Sequence, residues 1–207
     1  AMWWLYDTSG QIFIQNGIGD QGCSKVDLPF PIVAKSFFGS RNQGNTKIDN
    51  VEELNTWMQG KTLSNYLFEV FHNYAREYRL HVTKDGCFYA CRKVLRRDTP
   101  DDHKWYRNDE HCNWIREDGD NIELFDKPVN WNDIIDNCVK ALTSVGLDFG
   151  ACDLRVQSAT DSDGNKRSNP HFIVVEINSA PSFGTVTSEK YINIIPKLLK
   201  DKYETTS

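Results

Sequence analysis

The chain has 207 residues, enough to bury a sizeable core as one large domain or as two lobes. Charged residues at 26% and hydrophobic ones at 39% exclude a disordered or fibrous chain and leave an ordinary globular one. The net charge of −5 argues against a general polyanion-binding surface, and no apolar run is long enough to span a membrane.

Trp3 to Ile14 reads as a strand, a turn at Asp7 to Gly10 and a second strand. Met2-Trp-Trp-Leu-Tyr6 is too short for a signal peptide and lacks a basic flank. Pro29 to Lys35 is a further strand, followed by a loop over Ser36 to Asn45 rich in glycine and other small residues. Asp49 or Asn50 caps a short helix reaching Met58, with acids in its first turn. Asn65 to Phe71 is a strand, and Arg76–Thr83 with Cys87–Val94 form a hairpin around Lys84-Asp-Gly86. Arg96 to His103 is charged and reads as a loop. From Asn132 to Val145 the apolar stripe Ile134, Ile135, Cys138, Val139 and Leu142 predicts a helix closed by Gly146. Strands around Ala151 and Phe172 flank the polar turn Asp161 to Lys166. A last helix runs from about Glu189 to Lys202, with Pro196 expected to kink or divide it. The six cysteines form no Cys-x-x-Cys pair and sit in apolar runs, which predicts a reduced, cytoplasmic setting.

The chemistry concentrates near the C-terminus. Phe172 to Val175 is apolar and β-branched, and Glu176 and Asn178 then interrupt it. Side chains two apart on a strand share a face, so the pair offers two oxygens side by side. Asp153, in the apolar stretch Leu147 to Leu154, supplies a third. Hard oxygens on rigid strands suit Mg²⁺, with Mn²⁺ as an alternative, far better than zinc. Two carboxylates and an amide converging without a cation would be costly. Taken alone, a Glu-x-Asn at a strand end is equally a solvated edge or a turn cap.

Taken in order, these segments resemble the ATP-grasp superfamily over roughly residues 29–200, and within it the ribosomal-protein glutamate ligases and their phage-enriched relatives. Phe30-Pro-Ile-Val-Ala-Lys35 is similar to the family's strand ending in an ATP-contacting lysine, and Gly39-Ser-Arg-Asn-Gln-Gly44 to its phosphate loop. The resemblance assigns nucleotide contacts to Lys35, Gly39, Ser40 and Gly44, and adenine contacts to Glu69, Val70 and Phe71 on the hinge strand. It places Arg79 and Arg92 at the reaction centre and makes Asp153, Glu176 and Asn178 the magnesium ligands. Arg107-Asn108 is a looser match. Each position has an ordinary alternative: Lys35 as a strand-end lysine reaching water, Arg79 and Arg92 as surface partners of Glu77 or Asp85. The family also carries an N-terminal recognition domain and an upstream lysine, whereas 34 residues precede Lys35; Lys25 is the substitute on offer.

The resemblance implies an α+β ATP-grasp fold of two lobes with antiparallel sheets around a nucleotide cleft, divided into residues 1–66 and 67–207. It implies an ATP-dependent carboxylate–amine ligase working through an acyl phosphate with Mg²⁺. A kinase of small molecules and a non-catalytic nucleotide-binding protein are the alternatives. The expected partners are small-molecule or peptide carboxylates and amines, and a nucleic-acid substrate stays open. The basic lean of Arg41, Arg92, Lys93, Arg96, Arg97 and Arg107 favours an anionic one.

Overall fold

We describe residues 3–6, 12–15, 29–38, 44–107, 109–181 and 184–204 of a computed structural model. They fall into two compact units, one within Ala1–Asn73 and Asp98–His111, the other within Tyr74–Arg97 and Cys112–Ser207.

The first unit holds β1 (Trp3–Tyr6), β2 (Ile12–Gln15), β3 (Ile32–Ser36), β4 (Thr46–Ile48), α1 (Val51–Met58) and β5 (Tyr66–Val70). Its antiparallel sheet has the order β2-β1-β5-β3-β4. Alternate residues Ile32 and Ala34 of β3 meet Phe68 of β5, Ile48 of β4 and Leu54 of α1 in a small core edged by Trp57 and Tyr66. Asn50 caps α1 by accepting from the Glu53 amide, while Glu53 reaches back to accept from the Asp49 amide. The strand expected to open the second lobe, β5, is hydrogen-bonded to β3 and belongs to this first sheet. The compact units part after Asn73, and residues 98–111 group with the first.

The second unit holds β6 (Arg76–Thr83), β7 (Gly86–Leu95), β8 (Cys112–Arg116), α2 (Trp131–Ser144), β9 (Phe149–Val156), β10 (Phe172–Asn178) and α3 (Thr185–Glu204). Its antiparallel sheet runs β10-β9-β6-β7-β8. The predicted stripe of α2 lies on one face of this sheet, burying Ile134, Cys138 and Leu142 against Leu80, Val82, Cys152 and Leu154. Gly146, at φ 72°, takes the left-handed turn that ends the helix and feeds β9. The opposite face carries α3 at one end, where Tyr191 packs edge-on against Phe88, Phe149 and His81. Pro196 does not divide α3, which is continuous from Thr185 to Glu204. No described helix is long and apolar enough to cross a membrane.

Candidate active site

Strand alternation builds the candidate site on the face of the second sheet that carries α3. Tyr78, Leu80 and Val82 of β6 point into the core under α2, so Glu77, Arg79 and His81 point the other way. Cross-strand register then lays these residues out in rows. One row runs Arg79 (β6), Asp153 (β9), Glu176 (β10). Its neighbour runs Trp114 (β8), Lys93 (β7), Glu77 (β6), Arg155 (β9).

A break in register gives Glu176 and Asn178 their place. Val174 pairs with Leu154, but Glu176 pairs with Asp153, leaving Val175 as the extra residue of a bulge. Phe172 and Val174 pack on the core before the bulge and Ile177 after it. Strict alternation would have sent Glu176 and Asn178 to the core face with Phe172 and Val174. The inserted residue turns them to the side of Asp153.

There the side chains converge. Asn178 Nδ2 donates to Glu176 Oε1 at 3.0 Å and to Asp153 Oδ2 at 3.4 Å. Arg79 grips Asp153 in a two-pronged pair, Nε to Oδ1 and Nη2 to Oδ2, both at 2.7 Å. Burial pushes the Asp153 carboxyl up, but the bonds and charge of Arg79 outweigh it and hold the group below the usual carboxylate range. The guanidinium of Arg79 also lies 5.2 Å from the ring centre of Trp114. His81, next along β6, is held neutral: burial lowers its pKa to about 4, helped by the charge of Arg79, while Asp153 pulls it back. Its Nδ1 meets the Tyr191 hydroxyl at 3.0 Å.

The donors are of the hard oxygen type that a divalent cation takes, although among the described residues no group of three or more His, Cys, Asp or Glu side chains is placed to hold a metal ion. Two carboxylates and an amide stand within hydrogen-bonding range of one another, and Asp153 Oδ2 accepts from both Arg79 and Asn178 while Oδ1 accepts from Arg79 alone among these bonds. A half-turn of the Asn178 amide would present its oxygen instead of its nitrogen.

Arg92 does not join Arg79. It pairs in register with Tyr78, on the core face, and its Nη1 donates to the Leu124 carbonyl at 2.7 Å and meets Asp126 at 3.3 Å. Arg76 meets the same Asp126 side chain at 3.4 Å. Arg92 is thus a clamp on the 124–126 turn, on the opposite side of the sheet from the carboxylates. The two arginines are only one strand apart, and their opposite parity is hidden until the hairpin register is known.

In the first unit, Lys35 Nζ and Glu69 Oε2 form an ion pair at 2.6 Å. They lie diagonally on neighbouring strands, since Lys35 pairs with Leu67 and Val33 with Glu69. Gly44 has φ +80°, the left-handed region that favours glycine, and an added Cβ would stand a tight 3.2 Å from Cβ of Ser36. The Phe71 amide donates to the Pro31 carbonyl at 2.8 Å and is committed to the fold. The Phe71 ring packs edge-on against Trp105, with Lys47 over it at 5.4 Å. Val70 pairs with Ile32. Gly39, Ser40, Arg41, Lys25 and Asn108 lie outside the described residues, and Arg107 is buried. The Trp114–Lys93–Glu77–Arg155 row is not visible in sequence because its members lie on four strands and meet only through their pairing.

No protein-family model and no curated protein matches the sequence. Among solved structures, D-alanine–D-alanine ligase from Bacillus anthracis is similar at a TM-score of 0.53 and 14% identity, covering 86% of this chain and 57% of that one. The fold is the ATP-grasp fold. The ATP-grasp ligase PsnB, complexed with a minimal precursor, matches at a TM-score of 0.46 and 18% identity over 74% of this chain and 41% of its own. Macrocyclase MdnC from Microcystis aeruginosa MRC, bound with precursor peptide MdnA, gives a TM-score of 0.44 at 18% identity with the same coverages of 74% and 41%. This chain thus spans well under two thirds of the length of each of these ATP-grasp-like neighbours.

Proposed function

We propose that this chain is an ATP-dependent ligase that joins a carboxylate to an amine through an acyl phosphate. The observation that carries the reading is the convergence of Asp153, Glu176 and Asn178 beside Arg79 on one sheet face. The ligase neighbours support it by analogy of fold.

In this reading Asp153, Glu176 and Asn178 hold Mg²⁺, for which Mn²⁺ could substitute. The ion, when bound, neutralises the phosphates and polarises the group to be transferred. The γ-phosphoryl group passes to a carboxylate oxygen of the substrate as its bond to ADP breaks. The amine nitrogen then attacks the acyl carbon, phosphate leaves and the nitrogen loses a proton. Arg79 is aimed at negative charge developing on the transferred group, and its pairing with Asp153 fixes its direction beforehand. Lys35 meets the nucleotide's phosphates as a point charge, with Gly39, Ser40 and Gly44 giving backbone N–H groups close approach. Glu69, Val70 and Phe71 border the adenine. Since the Phe71 amide is already used, recognition of the ring's amine falls to the Glu69 carboxylate and to backbone carbonyls.

Incubation with ATP, Mg²⁺, hydroxylamine and a panel of carboxylates tests the proposal. ADP formed together with a hydroxamate is the expected result, because hydroxylamine traps an acyl phosphate. ADP without hydroxamate would make the chain a kinase. Nucleotide binding with neither product would make it a non-catalytic binding protein.

A further inference from the structure

Arg79 is held from two sides. Asp153, on the neighbouring strand β9, takes one edge of the guanidinium through Nε and Nη2, both at 2.7 Å. Two parallel bonds to one carboxylate fix that edge but leave the group able to swing about it. The second hold comes from the other direction, two strands away: Arg79 Cζ lies over the Trp114 ring of β8, 5.2 Å from its centre. Trp114 does not share the row of Arg79. It pairs with Lys93 of β7, and Lys93 with Glu77, so the indole leans one row along the sheet to reach the arginine. β7 leaves room for it, because the residue facing Arg79 there is Cys91, small and buried. Arg116, the β8 residue in the row of Arg79, carries the wrong charge to hold it and packs against the Gly119 turn. Lys93 Nζ lies over the same indole, 4.9 Å from its centre. A carboxylate at position 114 would compete with Asp153 for the guanidinium N–H groups. An aromatic face attracts the cation and leaves those groups where they are.

We infer that Trp114 is a positioning residue for the reaction, holding Arg79 from the β8 side so that its guanidinium stays directed at the transferred group. The inference rests on the ligase reading for the chemical role of Arg79, but the hold itself does not. Trp114 acts only through Arg79, so its loss should slow the chemical step and spare ground-state nucleotide affinity.

The test compares Trp114→Leu, which removes the π face, with Trp114→Phe, which keeps one. Trp114 is half-buried on an edge strand, outside the core under α2, and urea midpoints establish that both variants fold. Should Trp114→Leu fail to fold, Trp114→Met takes its place. The Arg79 Nε–Hε signal in a proton–nitrogen correlation spectrum, assigned by its disappearance in Arg79→Lys, reports the hold directly. It should move and lose order in Trp114→Leu and stay ordered in Trp114→Phe. Single-turnover ADP formation, with saturating ATP, Mg²⁺ and the best carboxylate of the panel, should fall about tenfold in Trp114→Leu, the scale of a partly desolvated cation–π contact. Trp114→Phe should keep most of the rate, and ATP affinity should hold in both. An unmoved Arg79 signal or an unchanged rate in Trp114→Leu overturns the inference. Equal losses in the two variants overturn it too, since the ring would then serve only as bulk. A fall in ATP affinity would do the same by making Trp114 part of the nucleotide site. If the unaltered protein forms no ADP, the ligase reading falls by itself, and the spectra still decide whether Trp114 holds Arg79.

Discussion

The two faces of the second sheet are made by the same five strands and have opposite chemistry. Under α2, Leu80, Val82, Cys152 and Leu154 are fully buried hydrophobes. One residue further along each strand, Arg79, His81 and Asp153 form a lattice of charge and hydrogen bonds. The apolar face can afford imprecision, since hydrophobic attraction is non-directional. The polar face depends on register, because each ion pair is a specific cross-strand neighbour. Stability and chemistry are therefore separable here by parity alone.

Breaking the apolar face should produce the largest effect. Leu80→Ala should lower the unfolding free energy by about 2–5 kcal/mol, measured by urea denaturation, with residual ATP affinity in the folded fraction unchanged. Glu176→Gln should do the reverse. The glutamine oxygen keeps the bond from Asn178 and the volume is unaltered, so the urea midpoint should hold, while ADP formation falls by on the order of 10²–10³. Unchanged turnover in that variant would remove the metal assignment.

His81, on the polar face, makes stability depend on pH. Its folded pKa is lowered to about 4 from an unfolded value of 6.5, so the unfolded chain takes up the proton first. The stability His81 confers is complete above pH 6.5 and is lost as the pH falls toward 4, by up to about 3 kcal/mol. Unfolding midpoints at pH 7 and pH 5 should differ in the unaltered protein and differ less in His81→Gln.

The smallest contrast separates the two arginines. Arg92→Ala should cost roughly 1–2 kcal/mol of stability through its lost bonds to Leu124 and Asp126, with the single-turnover rate of ADP formation intact. Arg79→Ala should slow that rate while sparing ground-state ATP affinity. If both variants behave alike, face parity is not what decides their roles.

What the sequence disclosed and concealed follows the same division. The α2 stripe and the carboxylate interruption at Glu176 and Asn178 were legible because each is a local pattern of residue types. β4 and β8 were not, being only three and five residues long and without marked alternation. The Lys93–Glu77–Arg155 row was invisible for a different reason: its members are 16 to 78 positions apart in sequence and meet only through strand pairing. Arg92 and Arg79 read alike in sequence because a one-residue offset across a hairpin cannot be counted until the turn is fixed. Pro196 signalled a break that α3 does not make; its neighbours Ile192 and Leu199 are exposed, and a carbonyl left without its helical donor on that outer side can be met by solvent.

The bulge at Val175 works like a single inserted letter in a reading frame. Upstream of it, even-numbered residues of β10 face the core; downstream, odd-numbered ones do. Deleting that one valine would leave the composition of the strand almost unaltered and restore its regular pairing. It would place Glu176 directly after Val174, still opposite Asp153, with Asn178 on the same face and Ile177 still toward the core. What would send Glu176 and Asn178 beneath α2 is Val175 drawn into the ladder, not its loss, so a sequence lacking this one residue presents the same ligand set on the same face.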